Sequence, residues 1–278
     1  MKDDKEDISM IIDFHTHIFP DKVAPKAIAK LADCIHMEPT HNGTYDGLLR
    51  STENAGIDIS VVLPVVTAPH QFDSVIRFAE QVNEKFYQNG KRGLFSLAGI
   101  HPDSDNYADQ LKLIKSLGFP GLKIHPDYQG REFNDIRYKR ILDKASELGL
   151  FVLTHAGFDV YSPDKIHCTV AMIMEVLEDV APERLVLAHM GNNMFYDSVE
   201  AMLLGEKVYI DTSYSIAHVA PERLLRMIRK HGADKVLFAS DAPWSDQKKD
   251  VEILKSLGLN DNEFARICHE NALKLLDL

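Results

Sequence analysis

Eight short apolar runs recur along this chain, and a turn and an amphipathic stretch follow most of them. They are ISMIIDFHTH (8–17), ISVVLPVV (59–66), LFSLAGIHP (94–102), PGLKIHP (120–126), LFVLTHAG (150–157), RLVLAHMG (184–191), KVYIDTS (207–213) and KVLFASDAP (235–243). A parallel strand covered on both faces reads as such a run, because neither face meets water. The stretches between them have helical periodicity. FDSVIRFAEQVNEKFY sets Val75, Phe78, Ala79 and Val82 on one face, and YADQLKLIKSLG, RYKRILDKASELG, TVAMIMEVLEDVA and PERLLRMIRKHG repeat the pattern. Gly118, Gly149 and Gly232 follow three of them, where a helix C-terminus favours glycine. This alternation predicts an α/β fold, a (β/α)8 TIM barrel spanning residues 1–278 as one domain. A length of 278 residues suits a single barrel. The rival, a doubly wound open sheet, lacks a glycine-rich phosphate loop after its first strand. Two segments exceed the minimal barrel. The extended loop 18–42, with His36 and His41, reads as a lid or binding loop, and the closing DNEFARICHENALKLL as a helix capping the outside.

Hydrophobic residues at 45% and charged residues at 26% exclude a disordered or fibrous chain. A net charge of −11 argues against nucleic acid and anionic membrane as partners, since both require a basic footprint. Cys34, Cys168 and Cys268 form no CxxC, as in a reduced protein with three small buried hydrophobes. MKDDKEDISM has no apolar core of a secretory signal, and no run is long enough to span a bilayer. The expectation is a cytoplasmic protein with a small-molecule substrate, its homo-oligomerisation left open.

The 13 histidines are the unusual part of the composition. The working face of a barrel is the C-terminal end of its strands. The eight runs finish at His17, Val66, His101, His125, His155, His189, Asp211 and Asp241. His15 and His17 are two apart, so on an extended strand both leave the same face and can chelate one metal with little ordering cost. His155 and His189 each stand near a run-ending glycine, and Asp241 ends the last run, adjacent to the first when the barrel closes. Three neutral imidazoles and a carboxylate suit a borderline divalent ion such as Zn²⁺. The bland alternative requires several core histidines to converge on one rim by accident, and is rejected.

DFHTH, GLKIHP, LTHAG, LAHMG, YIDTS, FASDAP and HENALKLL, in that order, resemble the amidohydrolase superfamily. Within it they are most similar to the amidohydrolase-2 group of metal-dependent hydrolases and decarboxylases. The resemblance runs from Asp13 to Leu276 and is specific to the superfamily, not to a substrate. It implies that His15, His17, His155 and Asp241 are metal ligands. His189 would be a second-metal ligand in two-metal members, and in one-metal members would polarise water or substrate. The implied cofactor is one Zn²⁺, with Mn²⁺, Fe²⁺ or a second metal left open. Asp241 could hold the metal with one oxygen and take a proton from bound water with the other, with His189 as the other catalytic candidate. Lys123 and His125, two apart on one strand, are expected to contact substrate, and Lys123 to remain an unmodified amine. Arg131 could receive a carboxylate bidentately, and Trp244 follows Asp241 closely enough to line the pocket. His70, Tyr128, Phe158, Tyr161, Asn192 and Tyr214 are further wall candidates. His101 reads as structural, and Asp211 as a residue that orients its neighbours. The leading functional reading is a hydrolase that uses metal-activated water on an amide, ester or lactone. The alternative is a non-oxidative decarboxylase of an aromatic or unsaturated acid, and a remote third is a non-catalytic binding barrel.

Overall fold

The computed structural model describes residues 10–278, so the reading of residues 1–9 lies outside the described residues. The strands are β1 (Ile12–Thr16), β2 (Ile59–Val62), β3 (Gly93–Ser96), β4 (Ala98–Gly99), β5 (Gly121–Ile124), β6 (Phe151–Thr154), β7 (Leu185–Leu187), β8 (Tyr209–Asp211) and β9 (Val236–Leu237). All pairings are parallel, in the orders β1-β2-β3 and β4-β5-β6-β7-β8-β9. β3 and β4 are one sequence run broken at Ser96. The side chain of Asn83 accepts the Ser96 N–H at 2.6 Å and donates to its carbonyl at 3.0 Å, in place of a neighbouring strand. Leu97 carries the ladder across the break by donating to the Val62 carbonyl at 3.0 Å. At the other seam Phe14 N–H donates to Phe238 O (2.9 Å), Asp241 N–H to His15 O (2.9 Å) and His17 N–H to Ala242 O (2.7 Å). Thr16 also bridges Ala242 in parallel, so the ring of strands is a closed barrel, as predicted.

The strands are shorter than the runs that announced them. His17, Val66, His101, His125, His155 and His189 lie past the last residue of their strands, on the connections that form the C-terminal rim. Alternate strand residues divide into two cores. Ile12, Phe14, Ile59, Val61, Phe95, Phe151, Leu153, Val186 and Leu237 fill the barrel centre. Leu122, Ile124, Val152, Leu185, Leu187 and Ile210 face outward onto helix residues such as Ile76, Leu111, Ile141 and Met227. Each such side chain contributes on the order of 1.5–3 kcal/mol by leaving water. Gly121 is fixed by this packing, since a Cβ there would lie 2.6 Å from the Phe151 ring.

The helix Phe72–Gln88 buries Phe72, Ile76, Ala79, Val82 and Phe86, whereas Val75 and Phe78 of the expected stripe are only half-buried. Residues 18–42 are not an irregular loop. They contain the helix Ala24–Ile35, with a proline in its first turn and His36 at its C-cap in the left-handed region (φ 54°). The segment then returns to the barrel at Thr40, whose N–H donates to Pro243 O at 2.8 Å and whose hydroxyl reaches Pro243 O and Ser245 O. The helix Gln247–Ser256, unseen in the sequence patterning, packs beside the helices Tyr45–Asn54 and Ser215–His218. The closing helical run is capped at Asn260 and widens to a π-turn at Arg266–Glu270. It does not lie wholly outside. Ile267 and Cys268 join the outer core, but Ala272, Leu275 and Leu276 pack into the central one. Among the described residues no helix is long and apolar enough to cross a membrane.

Candidate metal centre and active site

β1 positions the first two histidines. Asp13, fully buried, accepts His15 N–H (3.2 Å), Ser240 N–H (2.9 Å), Ser240 Oγ–H (2.5 Å) and Gln247 Nε2–H (2.7 Å). It thereby ties the HxH segment to the residue preceding Asp241. Burial pushes its carboxyl up to about 6 despite these donors. His15 Nδ1 lies 2.9 Å from Asp211 Oδ2 and His17 Nδ1 lies 3.3 Å from Leu63 O, partners that accept from each ring. Both rings then present an Nε2 lone pair. His15 Nε2 lies 3.4 Å and His17 Nε2 3.1 Å from one oxygen of Asp241, Oδ1. Three acceptors about one point are the arrangement that a divalent cation satisfies, and the donor set fits Zn²⁺ or Mn²⁺. Asp211 does the orienting expected of it, because its other oxygen accepts the backbone N–H groups of His189 (3.0 Å) and Ser213 (3.1 Å).

Asp241 stands past β9 with φ 80°, a left-handed geometry uncommon for a non-glycine residue. Burial alone would raise its carboxyl. With no ion at the point they share, a proton on His17 Nε2, donated to Asp241, and the nearby His15 and His189 rings outweigh that and hold it below the usual carboxylate range. Lys123 is fully buried on β5, with Nζ 3.4 Å from His15 Nε2. Burial lowers its amine to about 8, against the opposing pull of Asp211, Asp241 and Asp159.

The remaining histidines extend this centre across the rim. His189 Nδ1 lies 3.1 Å from Ser213 O, and its Nε2 meets His155 Nδ1 at 3.0 Å. The sequence reading groups His155 with His15, His17 and Asp241, and its ring adjoins them through His189, whose ring lies 5.3 Å from that of His15. Its Nδ1 is taken by His189, and its Nε2 faces Asp127 Oδ2 at 3.8 Å and Asp159 Oδ2 at 3.9 Å. His125 Nε2 lies 3.5 Å from the same Asp159 oxygen. The His125 ring stacks between Tyr128 (3.8 Å) and His155 (4.4 Å), forming a column of three planar rings. Burial, the first cause, together with the Asp127 and Asp241 carboxylates, pushes Asp159 up to about 7.

Arg131 is not free to receive a substrate. Its guanidinium is bidentate to Asp103 at 3.2 and 3.0 Å, in a network that also includes Arg137. Trp244 is half-buried, and its backbone N–H donates to Asp241 O at 2.9 Å, closing a turn just past the centre. Tyr161 meets Tyr128 edge-on at 5.0 Å, and Tyr214 N–H donates to Ser240 O. His70 is exposed, Asn192 is buried with its amide on Cys168 O, and His101 Nδ1 accepts the Asp103 N–H at 3.1 Å. Sequence reasoning missed Asp13, Asp127 and Asp159. Their signals were present: Asp127 is two residues after His125, and Asp159 four after His155.

A closed parallel barrel that gathers histidines, aspartates and a buried lysine on its C-terminal rim is built as a metal-dependent enzyme. The chain belongs to the amidohydrolase family, whose model matches residues 12–278. No curated protein matches the sequence. Among solved structures it is similar to 2,6-dihydroxybenzoate decarboxylase from Rhizobium (TM-score 0.70, 15% identity, covering 97% of this chain and 99% of that one). It is also similar to a dihydroxybenzoic acid decarboxylase from Polaromonas with bound manganese and the inhibitor 2-nitroresorcinol (0.71, 14%, 98% of each chain). A TIM-barrel protein from Bordetella bronchiseptica aligns at 0.75 and 15%, over 96% of this chain and 98% of that one. At these identities the likeness is one of fold.

Proposed function

We propose that this protein is a divalent-metal-dependent, non-oxidative decarboxylase of a small aromatic or unsaturated carboxylic acid. The observation that carries the reading is Lys123, an amine buried among the site histidines where a substrate anion would need a counter-charge. The decarboxylases among the structural neighbours support it, and one of them holds manganese. The hydrolase reading has no comparable feature in its favour.

When bound by His15, His17 and Asp241, a divalent cation supplies Lewis-acid polarisation of substrate oxygens. The chain's own residues do the rest. Lys123 pairs with an anionic oxygen of the substrate, and burial strengthens that pair relative to water. The stacked rings of Tyr128 and His125 form an aromatic wall beside which a flat substrate could pack. In the reaction the bond from the ring or vinyl carbon to the carboxylate breaks and CO₂ departs. The electron pair left on that carbon takes up a proton that enters from solvent water. Asp241, whose Oδ1 is engaged by His17, has a second oxygen to carry that proton. His189, fixed by Ser213 and His155, holds the rim in place beside it.

The test is purified protein with Mn²⁺ or Zn²⁺, offered dihydroxybenzoates and other aromatic or unsaturated acids alongside lactones, esters and amides. Release of CO₂ with the matching decarboxylated product is expected. Turnover confined to the lactones, esters or amides would overturn the reading.

A further inference from the structure

His41 has no part in the reaction above, yet the chain fixes both its place and its tautomer. Residues 40–43 bridge the connections that leave β1 and β9. Thr40 N–H donates to Pro243 O at 2.8 Å and its hydroxyl reaches Pro243 O and Ser245 O, just past Asp241. Phe19 N–H, just past His17, donates to Gly43 O at 2.8 Å. His41 is held between these anchors, and its Nδ1 accepts the Gly43 N–H at 3.1 Å. A ring nitrogen that accepts from an amide carries the lone pair, so the proton of the neutral ring is on Nε2. Burial, then the charge of His17, pushes the ring from 6.5 down to about 4, which keeps it neutral. Its Nε2–H is buried and, among the described residues, has no hydrogen-bond partner. The Nδ1 edge faces its own turn, so the bare N–H faces away from that turn, and the charge that reaches the ring is that of His17. A buried donor with nothing to donate to costs free energy until an acceptor arrives.

We propose that His41 is a substrate-binding residue, whose Nε2–H donates to an oxygen of the bound carboxylic acid on the His17 flank of the centre. The inference rests on the decarboxylase reading, since it takes an acid as the occupant. Lys123 stands on the other flank, with Nζ 3.4 Å from His15 Nε2. The two residues do different work. An ammonium pairs with any anionic oxygen within reach, whereas a single neutral N–H pairs only with an acceptor that lies along its own direction. The ring cannot exchange donor for acceptor without breaking the Gly43 bond, so the demand for an acceptor at this point is fixed. A molecule that offers His41 a donor or a hydrocarbon edge leaves the N–H unpaired and binds more weakly. His41 therefore selects among acids that Lys123 alone would accept equally.

Two substitutions separate this role from a purely structural one. In His41→Asn the side-chain oxygen stands where Nδ1 does and keeps the Gly43 bond, but nothing remains at Nε2. In His41→Gln the amide nitrogen reaches the position of Nε2, and the Gly43 bond is given up. The Mn²⁺-loaded full chain and both variants are titrated calorimetrically with the dihydroxybenzoates and unsaturated acids offered above, and their metal content and melting temperatures are measured alongside. His41→Asn should bind the acids about 10–100-fold more weakly, with metal content and melting temperature unchanged, while His41→Gln stays within about threefold of the parent. Full affinity in His41→Asn overturns the proposal and leaves the N–H to a buried water. Weakening in both variants with a lowered melting temperature also overturns it, because His41 then serves the turn alone. Loss of Mn²⁺ from His41→Asn overturns it in favour of a part in the metal centre. If the unmodified chain binds none of the acids, this inference fails together with the reading it rests on. If it binds them and His41→Asn binds them equally, only the role of His41 fails.

Discussion

Asp241 is asked to hold a cation and to carry a proton, and its surroundings explain how one carboxylate does both. His17 engages Oδ1 at 3.1 Å, the His15 ring stands 3.4 Å from the same atom, and the second oxygen takes no part in either contact. Asp241→Asn keeps the shape and one oxygen donor but removes the proton carrier. Turnover should fall by about 10²–10⁴-fold while metal stays bound through His15 and His17. If metal is retained and activity drops less than about tenfold, His189 becomes the proton carrier to test. The residues of this centre were unevenly legible in the sequence. His15 and His17 could be read because a spacing of two on a strand has one geometric outcome. Asp127 and Asp159 were marked only by their spacing from His125 and His155, and Asp13 by nothing that named its partners. Asp127 and Asp159 lie on connections with no period to anchor them, and what Asp13 touches depends on Ser240 and Gln247, more than 200 residues away in the chain. The orientation of His155 was equally hidden, because a strand end fixes where a ring begins but not which way it turns.

Among the elements, the strands showed in the sequence through their apolar content, and their ends did not. The run at 94–102 became two strands because Asn83, on a helix elsewhere in the sequence, takes both backbone groups of Ser96. The helix Pro221–His231 closes with a feature that can be tested by pH. His231 accepts the Gly205 N–H on Nδ1 (3.2 Å) and donates from Nε2 to Val208 O (2.9 Å), so the folded chain keeps it neutral. Burial, assisted by Lys235, pushes its value from 6.5 down to about 4, even though the bond to Val208 pulls the other way. The unfolded chain takes up a proton near 6.5 and the folded chain only near 4. The stabilisation is therefore complete above about 6.5, declines as pH falls, and is lost once pH passes below about 4. At one pKa unit per 1.36 kcal/mol, this amounts to roughly 3 kcal/mol. Denaturant melts at pH 7 and pH 4.5 should show a smaller loss for His231→Gln than for the unmodified chain. Equal losses would mean that His231 is charged in the folded state.

The molecule as a whole is a ring of strands joined at one seam, and the proposed metal centre of His15, His17 and Asp241 lies on that seam. Phe14, His15 and His17 bond to Phe238, Asp241 and Ala242, and His15 and His17 share Asp241 Oδ1. A ligand that binds only the closed ring stabilises it by about 2.7 kcal/mol at a hundred times its Kd. For a chain of this size that corresponds to a rise of roughly 5 °C in the melting temperature. Thermal melts with saturating Mn²⁺ and with chelator should differ by about that much, and His15→Ala/His17→Ala should lose most of the difference. A melting temperature indifferent to Mn²⁺ would separate the centre from the integrity of the barrel.

The same seam sets an order on the making of the protein. His17 and Asp241 are 224 residues apart in the chain, so synthesis delivers the paired imidazoles long before the carboxylate they share. Until the final strand emerges and docks beside the first, the nascent chain offers a cation only half a chelate. Complete metal capture therefore waits for the end of synthesis, and a centre loaded through all three residues certifies that translation has passed β9 and that the ring has closed.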